Sequence, residues 1–267
     1  MTRRWVAALA AGWVLVACGG GGSLPPGPDD NSNNPPLTDP ILPGDPVNPD
    51  DPPKDPDDEN PAAPASLWPL TTGSTWVYDI EDDVHGNFKK YVTVLGPREV
   101  PDTQGKMTGV LVHSRQDRTL SGVYEEYSWQ LELTNGLVVR LREEDHKDSQ
   151  KIRTTTWSPA TVKSLARAPG SLPWSYQSAV RELVVMGDGS TDDKDPTYNW
   201  RVVETGLTMT TKAGTFTDVI KVQRDKLNDA GEVKEDKVRT YWLAPGVGKI
   251  REEGERTEEL SSYDVKK

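Results

Sequence analysis

Val123-Tyr124-Glu125-Glu126-Tyr127-Ser128-Trp129-Gln130-Leu131-Glu132-Leu133 alternates apolar and polar side chains over eleven positions. Val123, Tyr127, Trp129, Leu131 and Leu133 share one phase, and Tyr124, Glu126, Ser128, Gln130 and Glu132 share the other. A period of two puts each set on its own side of an extended chain, so the stretch predicts a β-strand with one packed face. Asn135-Gly136 then supplies the positive-φ tolerance of a tight hairpin turn, and Leu137, Val139 and Leu141 resume the alternation. Residues 123–141 thus read as one antiparallel hairpin.

The pattern extends in both directions. Trp76, Tyr78 and Ile80 mark an earlier strand that ends at the polar run Asp82–Asn87, and Phe88–Leu95 returns from it. Met107–Gln116 and Lys151–Trp157 complete six strands in this half, with Glu143–Gln150 as a charged loop. Ser158-Pro159 predicts the start of one short helix over 159–167, with Val162, Leu165 and Ala166 on one side. Downstream come Trp174–Val185, a polar loop at Gly187–Pro196, and strands around Trp200–Glu204, Leu207–Thr211 and Thr217–Leu227. Asn228–Gly231 turns the chain into Glu232–Leu243; a four-residue turn pairs Arg224 with Glu235 and Asp225 with Lys234, while setting Val222 opposite Val238 requires one extra residue and hence a bulge. After a Pro-Gly turn at Ala244–Gly248, two strands near Lys249–Glu253 and Thr257–Tyr263 end the chain. The expectation is an all-β fold, an antiparallel sheet of about 12 strands. Gly73-Ser74-Thr75-Trp76-Val77-Tyr78 is echoed in Gly170-Ser171-Leu172-Pro173-Trp174-Ser175-Tyr176, either by duplication or by reuse of a turn followed by aromatic strand residues.

Charge divides the 267 residues into three segments. Residues 1–17 carry Arg3 and Arg4 and no acid; residues 18–64 carry ten acids, one base and 14 of the 22 prolines; residues 65–267 are nearly balanced. That distribution excludes a basic nucleic-acid binder, since nothing would neutralise phosphates. No apolar run reaches the ~20 residues of a spanning helix, which excludes a polytopic helical membrane protein. A single Cys excludes disulfide scaffolds and Cys-ligated zinc.

Met1–Ala17 has the parts of an export signal: a basic start, the uncharged apolar stretch Trp5–Ala17, and a small residue, Ala17, before the cut. Leu15-Val16-Ala17-Cys18 resembles the lipobox of bacterial lipoproteins. The resemblance implies cleavage after Ala17 and acylation of Cys18, with palmitate-type chains holding the protein on a membrane. Two or three acyl chains anchor stably where one does so only marginally. Gly19 follows where lipoproteins kept in the inner membrane often carry Asp, so the analogy points to the outer membrane of the cell envelope. In residues 18–64 the repeated Asp-Pro steps (39–40, 45–46, 51–52, 55–56) interrupt both helix and ladder hydrogen bonding. With few apolar residues, this segment reads as a disordered tether with a reach on the order of 100 Å. Residues 65–267 are then the β domain.

Lys212-Ala213-Gly214-Thr215-Phe216-Thr217-Asp218-Val219-Ile220, the run Tyr241-Trp242-Leu243-Ala244-Pro245-Gly246-Val247-Gly248, and the opening Gly73-Ser74-x-Trp76-x-Tyr78 resemble a group of uncharacterised bacterial lipoprotein and periplasmic β domains. That resemblance implies a curved sheet, or a half-barrel like that of lipoprotein carriers, and brings no activity or functional residues with it.

The chain has no Gly-x-Ser-x-Gly elbow, Ser-x-x-Lys or His-Glu-x-x-His. His85, His113 and His146 lack the spacing of a shared metal site, and Asp188–Asp195 departs from calcium-loop spacing and contains Lys194. No metal or cofactor is expected. Glu125 shares the phase of Tyr127 and Trp129, so an inward carboxylate there would be a general acid or a ligand anchor, against the plainer role of a residue near a strand end reaching water. Seven Trp against two Phe after residue 17 suit either core packing or contact with sugars and amphipathic ligands. Trp129, Glu125 and Trp200 are the candidate ligand-binding residues. The functions in play are a non-catalytic binding or accessory domain with an envelope-protein or cell-wall partner, a carrier of a lipid or other apolar ligand in the concavity of the sheet, and an envelope hydrolase with an unidentified site.

Overall fold

The computed structural model describes residues 65–103 and 106–267. The export signal, Cys18 and the tether lie outside the described residues. Among these residues the strands are β1 (Thr75–Glu81), β2 (Phe88–Glu99), β3 (Thr108–Arg118), β4 (Gly122–Glu132), β5 (Leu137–Lys147), β6 (Gln150–Leu165), β7 (Ser175–Ala179), β8 (Arg181–Met186), β9 (Thr191–Lys194), β10 (Thr197–Thr211), β11 (Gly214–Leu227), β12 (Arg239–Ala244), β13 (Gly248–Glu253) and β14 (Thr257–Asp264). They form one antiparallel sheet in the order β7-β10-β11-β12-β13-β14-β1-β2-β3-β4-β5-β6-β8-β9. The sheet is not closed into a barrel, and β7 and β9 are its free ends. The fold is all-β, as expected, with two more strands than the sequence suggested.

Curvature brings distant strands together. Leu137, Val162 and Leu165 of β5–β6 share an apolar cluster with Trp200, Val222, Tyr241 and Leu243 of β10–β12, and Leu67 completes it. A second cluster joins Trp76, Tyr78 and Ile80 of β1 to Val94, Ile250 and Leu260. The buried polar ends of its two aromatic residues on β1 are satisfied: the Trp76 indole donates to the Val247 carbonyl at 2.7 Å and the Tyr78 hydroxyl to that of Lys249 at 2.9 Å. A third, smaller cluster lies on the outer side of β3–β5, where Val100 covers Leu111 and Trp129.

Several expectations are corrected. Residues 159–167 form no helix; the chain stays extended to Leu165 in β6. The β5–β6 pairing jumps between Arg140↔Thr161 and Arg142↔Thr156, leaving Trp157–Ala160 unpaired with β5. Pro159 falls in that interruption, where its missing N–H leaves no ladder bond unmade. His146 lies within β5 and not in a loop; the hairpin turn is confined to Asp148 and Ser149, both at positive φ. The polar loop at Gly187–Pro196 contains a strand, β9. Arg224 faces Arg239 and not Glu235. Residues 235–237 form a 3-10 turn that lengthens the connection, and Arg239 is neutralised from its other side by Glu252 at 3.1 Å.

Candidate functional site

Ser114 of β3 pairs with Glu126 of β4, and Gln116 with Tyr124. All four therefore share one side of the sheet, and that side lines the concavity. The polar phase of the 123–133 stretch points into the hollow. Its apolar phase points outward, where Trp129 is buried and its indole donates to the Glu99 carbonyl at 3.1 Å.

The hollow has two compartments with Lys90, Glu126 and Lys163 as shared walls. One is an apolar recess of about 60 Å³ against Trp76, Tyr78, Val92 and Val112. The other is a charged chamber of about 490 Å³. The chamber is touched by Glu182 of β8 and Tyr198 of β10, so strands near the two ends of the sheet face one another across it. A larger groove of about 910 Å³ runs along the outer side of β5, β6 and β8. Its Arg142 and Arg181 are already held by Glu144 at 2.7 Å and Asp193 at 2.5 Å.

Two ion networks build the chamber wall. In the first, Glu252 and Glu258 sit directly opposite each other in the β13–β14 ladder, an arrangement that repels unless a cation intervenes. Lys249 reaches both, and Glu258 also receives Arg256 at 2.6 Å and Lys90 at 3.3 Å. Burial disfavours the Glu258 carboxylate, but Lys249, Lys90 and Arg256 outweigh it and hold its pKa well below the usual range. Glu252, opposed by burial and helped most by Lys249, is held at about 2. In the second network, Arg140 meets Glu143 and Glu126, the latter at 3.5 Å, and Arg153 meets Asp145. Glu126, against burial, is held at about 2 chiefly by Arg140 and Lys163. Asp145 goes the other way: burial, then the charge of Glu126, raises it. Glu126, Glu143 and Asp145 bring carboxylate oxygens within 4.8 Å of one another, and Arg140 and Arg153 already pair with all three.

Some cations of the chamber are not consumed by this pairing. Its wall carries eight Lys/Arg and seven Asp/Glu. Among the described residues Lys163 has no carboxylate within 4.0 Å, and burial, then Arg140, holds its ammonium well below the ordinary lysine range despite Glu126. Arg224 lies over the Tyr198 ring at 5.2 Å, with its Nε buried and without a hydrogen-bond partner. In the recess, the Ser114 hydroxyl is also buried and unpartnered.

The candidate residues named from sequence are not brought together. Glu125 lies on the outer side, 3.0 Å from His113 Nε2, where His113 stacks on Tyr127 at 4.6 Å. Trp129 is beneath Val100 on that same side. Trp200 is fully buried and stacked on Tyr241 at 5.7 Å, in the apolar cluster that joins β5–β6 to β10–β12. Ala17 and Cys18 fall outside the described residues. The chamber residues were missed because they come from many strands and no local spacing joins them.

No protein-family model matches the chain, and no curated protein matches it. Among solved structures, one described as a "putative lipoprotein" from Parabacteroides distasonis ATCC 8503 is similar, with 13% identity and a TM-score of 0.34 over 75% of this chain and 99% of that chain. Similarity of that degree carries no argument about function.

Proposed function

We propose that this chain is a lipid-anchored protein of the bacterial cell envelope, attached through Cys18 at the outer membrane, and that its β domain is a non-catalytic binding module. The single observation that carries the binding reading is the chamber. Its volume of about 490 Å³ lies within the range of small-molecule sites, and its charged walls are already braced against one another. A preformed wall loses little side-chain freedom when a ligand enters. The carboxylates at about 2 are poor proton donors near neutral pH, which favours binding over acid–base chemistry. A lipid carrier would present apolar walls, whereas the apolar recess here, about 60 Å³, has room for only a few water-sized groups. The anchor reading rests on Leu15-Val16-Ala17-Cys18, and the acidic tether would let the domain meet an envelope-protein or cell-wall partner away from the membrane.

Two measurements test this. Intact-mass analysis of protein extracted from native envelopes should show loss of residues 1–17 and a lipid adduct on Cys18; an unprocessed, unmodified start overturns the anchor. Native mass spectrometry of the full chain should show a retained small molecule that Thr161→Trp, whose indole intrudes on the chamber, retains more weakly. Equal retention by that variant, or absence of any chamber signal from a fragment set spanning anionic, neutral and cationic compounds, overturns the binding module.

A further inference from the structure

We propose that Lys163 is the anchor for the carboxylate of a small organic acid, with the acid's short apolar substituent in the adjoining recess; this rests on the binding reading above. Lys163 is the one lysine among the described residues that lines both compartments without a carboxylate within 4.0 Å, since Lys90 is paired with Glu258. Lysine side chains usually extend their ammonium to water, and one turned into a hollow with no carboxylate in contact, only the Trp68 ring at 5.8 Å and the more distant charge of Glu126, is costly to bury. A carboxylate placed there would remove that cost. Lys90, Glu126, Arg140 and Glu252 supply the charges around it, and their own pairing leaves the acids committed to other cations. The depressed pKa of Lys163 agrees with an ammonium that lacks its partner.

A second observation points the same way. The Ser114 hydroxyl is buried, lines the recess and makes no hydrogen bond, although buried polar groups are nearly always satisfied. It is a donor available to a carboxylate oxygen. Beside it, Trp76, Val92 and Val112 form an apolar floor for a short alkyl group. Farther along the chamber, Arg224 with its free Nε offers a contact to a second polar group. A cationic ligand at this end of the hollow would instead have to compete with Arg140 for Glu126 and Glu143, whereas the Glu182 carboxylate farther along the chamber is held only by the Trp157 indole at 2.9 Å.

The test titrates the full chain calorimetrically with hexanoate, and with hexanamide and hexylammonium as neutral and cationic counterparts. Hexanoate should bind about tenfold or more tightly than either. Lys163→Met should remove that preference while leaving hexanamide unchanged, and Lys163→Arg should keep most of it. In the wild-type chain, hexanoate should slow acetylation of Lys163 by acetic anhydride, read by peptide mass, so the question is answered even where Lys163→Met fails to fold. Equal affinity for hexanoate and hexanamide, or undiminished hexanoate binding by a folded Lys163→Met, overturns the proposal. Binding of hexanamide or hexylammonium that Thr161→Trp weakens, without a hexanoate preference, overturns the Lys163 anchor alone and leaves the binding module standing.

Discussion

The ammonium of Lys249 lies 2.7 Å from Oε2 of Glu258, and the two side chains are only 7% and 2% exposed. Around this contact Glu258 also holds Lys90 and Arg256, so a single buried carboxylate contacts three cations, with Glu252 sharing Lys249. Glu258→Gln should leave those cations under-compensated and cost about 3–5 kcal/mol, the range for breaking a buried ion pair from one side. Lys249→Met combined with Glu258→Leu should cost clearly less than the sum of the single changes. Urea unfolding followed by tryptophan fluorescence measures both. A loss under about 1 kcal/mol for Glu258→Gln would mean that water screens the network as it does at a surface.

Acid should unfold the domain through these carboxylates. Glu126 and Glu252 sit at about 2 in the folded chain against an ordinary 4.5, and Glu258 is also well below it. Between about 2 and 4.5 the unfolded chain therefore binds more protons than the folded one. Their stabilisation is fully present above about pH 4.5 and is lost as pH falls toward 2. Asp145, raised by burial, works in the opposite sense and offsets part of the loss. Urea midpoints measured from pH 6 to pH 2 should fall mainly below pH 4.5, and more shallowly in Glu258→Gln. A steep fall already between pH 6 and pH 5 would contradict the assignment.

How much of this the sequence disclosed depends on the range of the interaction. The strands around Trp76, Phe88, Val123 and Leu137 and the Asn135-Gly136 turn were legible because alternation and turn chemistry are local. Gly136 has a φ of 81°, as the hairpin reading requires. The side facing the hollow was not legible, because both phases of β4 find partners: Tyr127 and Trp129 pack outward, while Glu126 and Gln130 line the cavity. One signal was present. Lys90 shares the phase of Val92 and Val94, Glu258 that of Leu260, Arg239 that of Tyr241 and Leu243, Lys163 that of Leu165, and Arg224 that of Val222. Charged residues recurring at one end of apolar phases, strand after strand, predict a hollow with a charged section and an apolar section. The helix over 159–167 failed for a different reason: Ser158-Pro159 is a helix start only if nothing else uses the chain, and here β8 pairs Trp157 and Ser158.

Gly96 should tolerate no side chain. It sits where the β2–β3 register shifts after Val94, at a φ of 90°, and a Cβ there would lie 2.6 Å from Oγ1 of Thr72. Gly96→Ala is expected to cost about 1–3 kcal/mol from the left-handed backbone and the crowding together. Thr72→Ala in the same chain should return only the part due to contact. Thermal melts of the three variants separate the two contributions, and an unchanged melting temperature for Gly96→Ala would show that the bulge relaxes freely.

Leu67 ties together parts of the sheet that no strand pairing joins. Its N–H donates to the Ala166 carbonyl at 2.8 Å just beyond β6, while the neighbouring Ser66 carbonyl accepts from Gly246 at 2.8 Å in the β12–β13 turn. The side chain, 1% exposed, fills the space between Leu165 and Leu243. An open sheet has no ladder to hold this curl, so the apolar contacts of this cluster, those of Leu67 among them, hold it. Leu67→Ala should cost about 2–5 kcal/mol, as for other buried leucines. It should also act selectively: hydrogen exchange at the amides of Leu67 and Gly246 should accelerate well before that of the β3–β4 ladder, because the seam opens while the local hairpins remain. Uniform acceleration across all strands would indicate an ordinary core position, and the curvature that shapes the chamber would then be set by the strands alone.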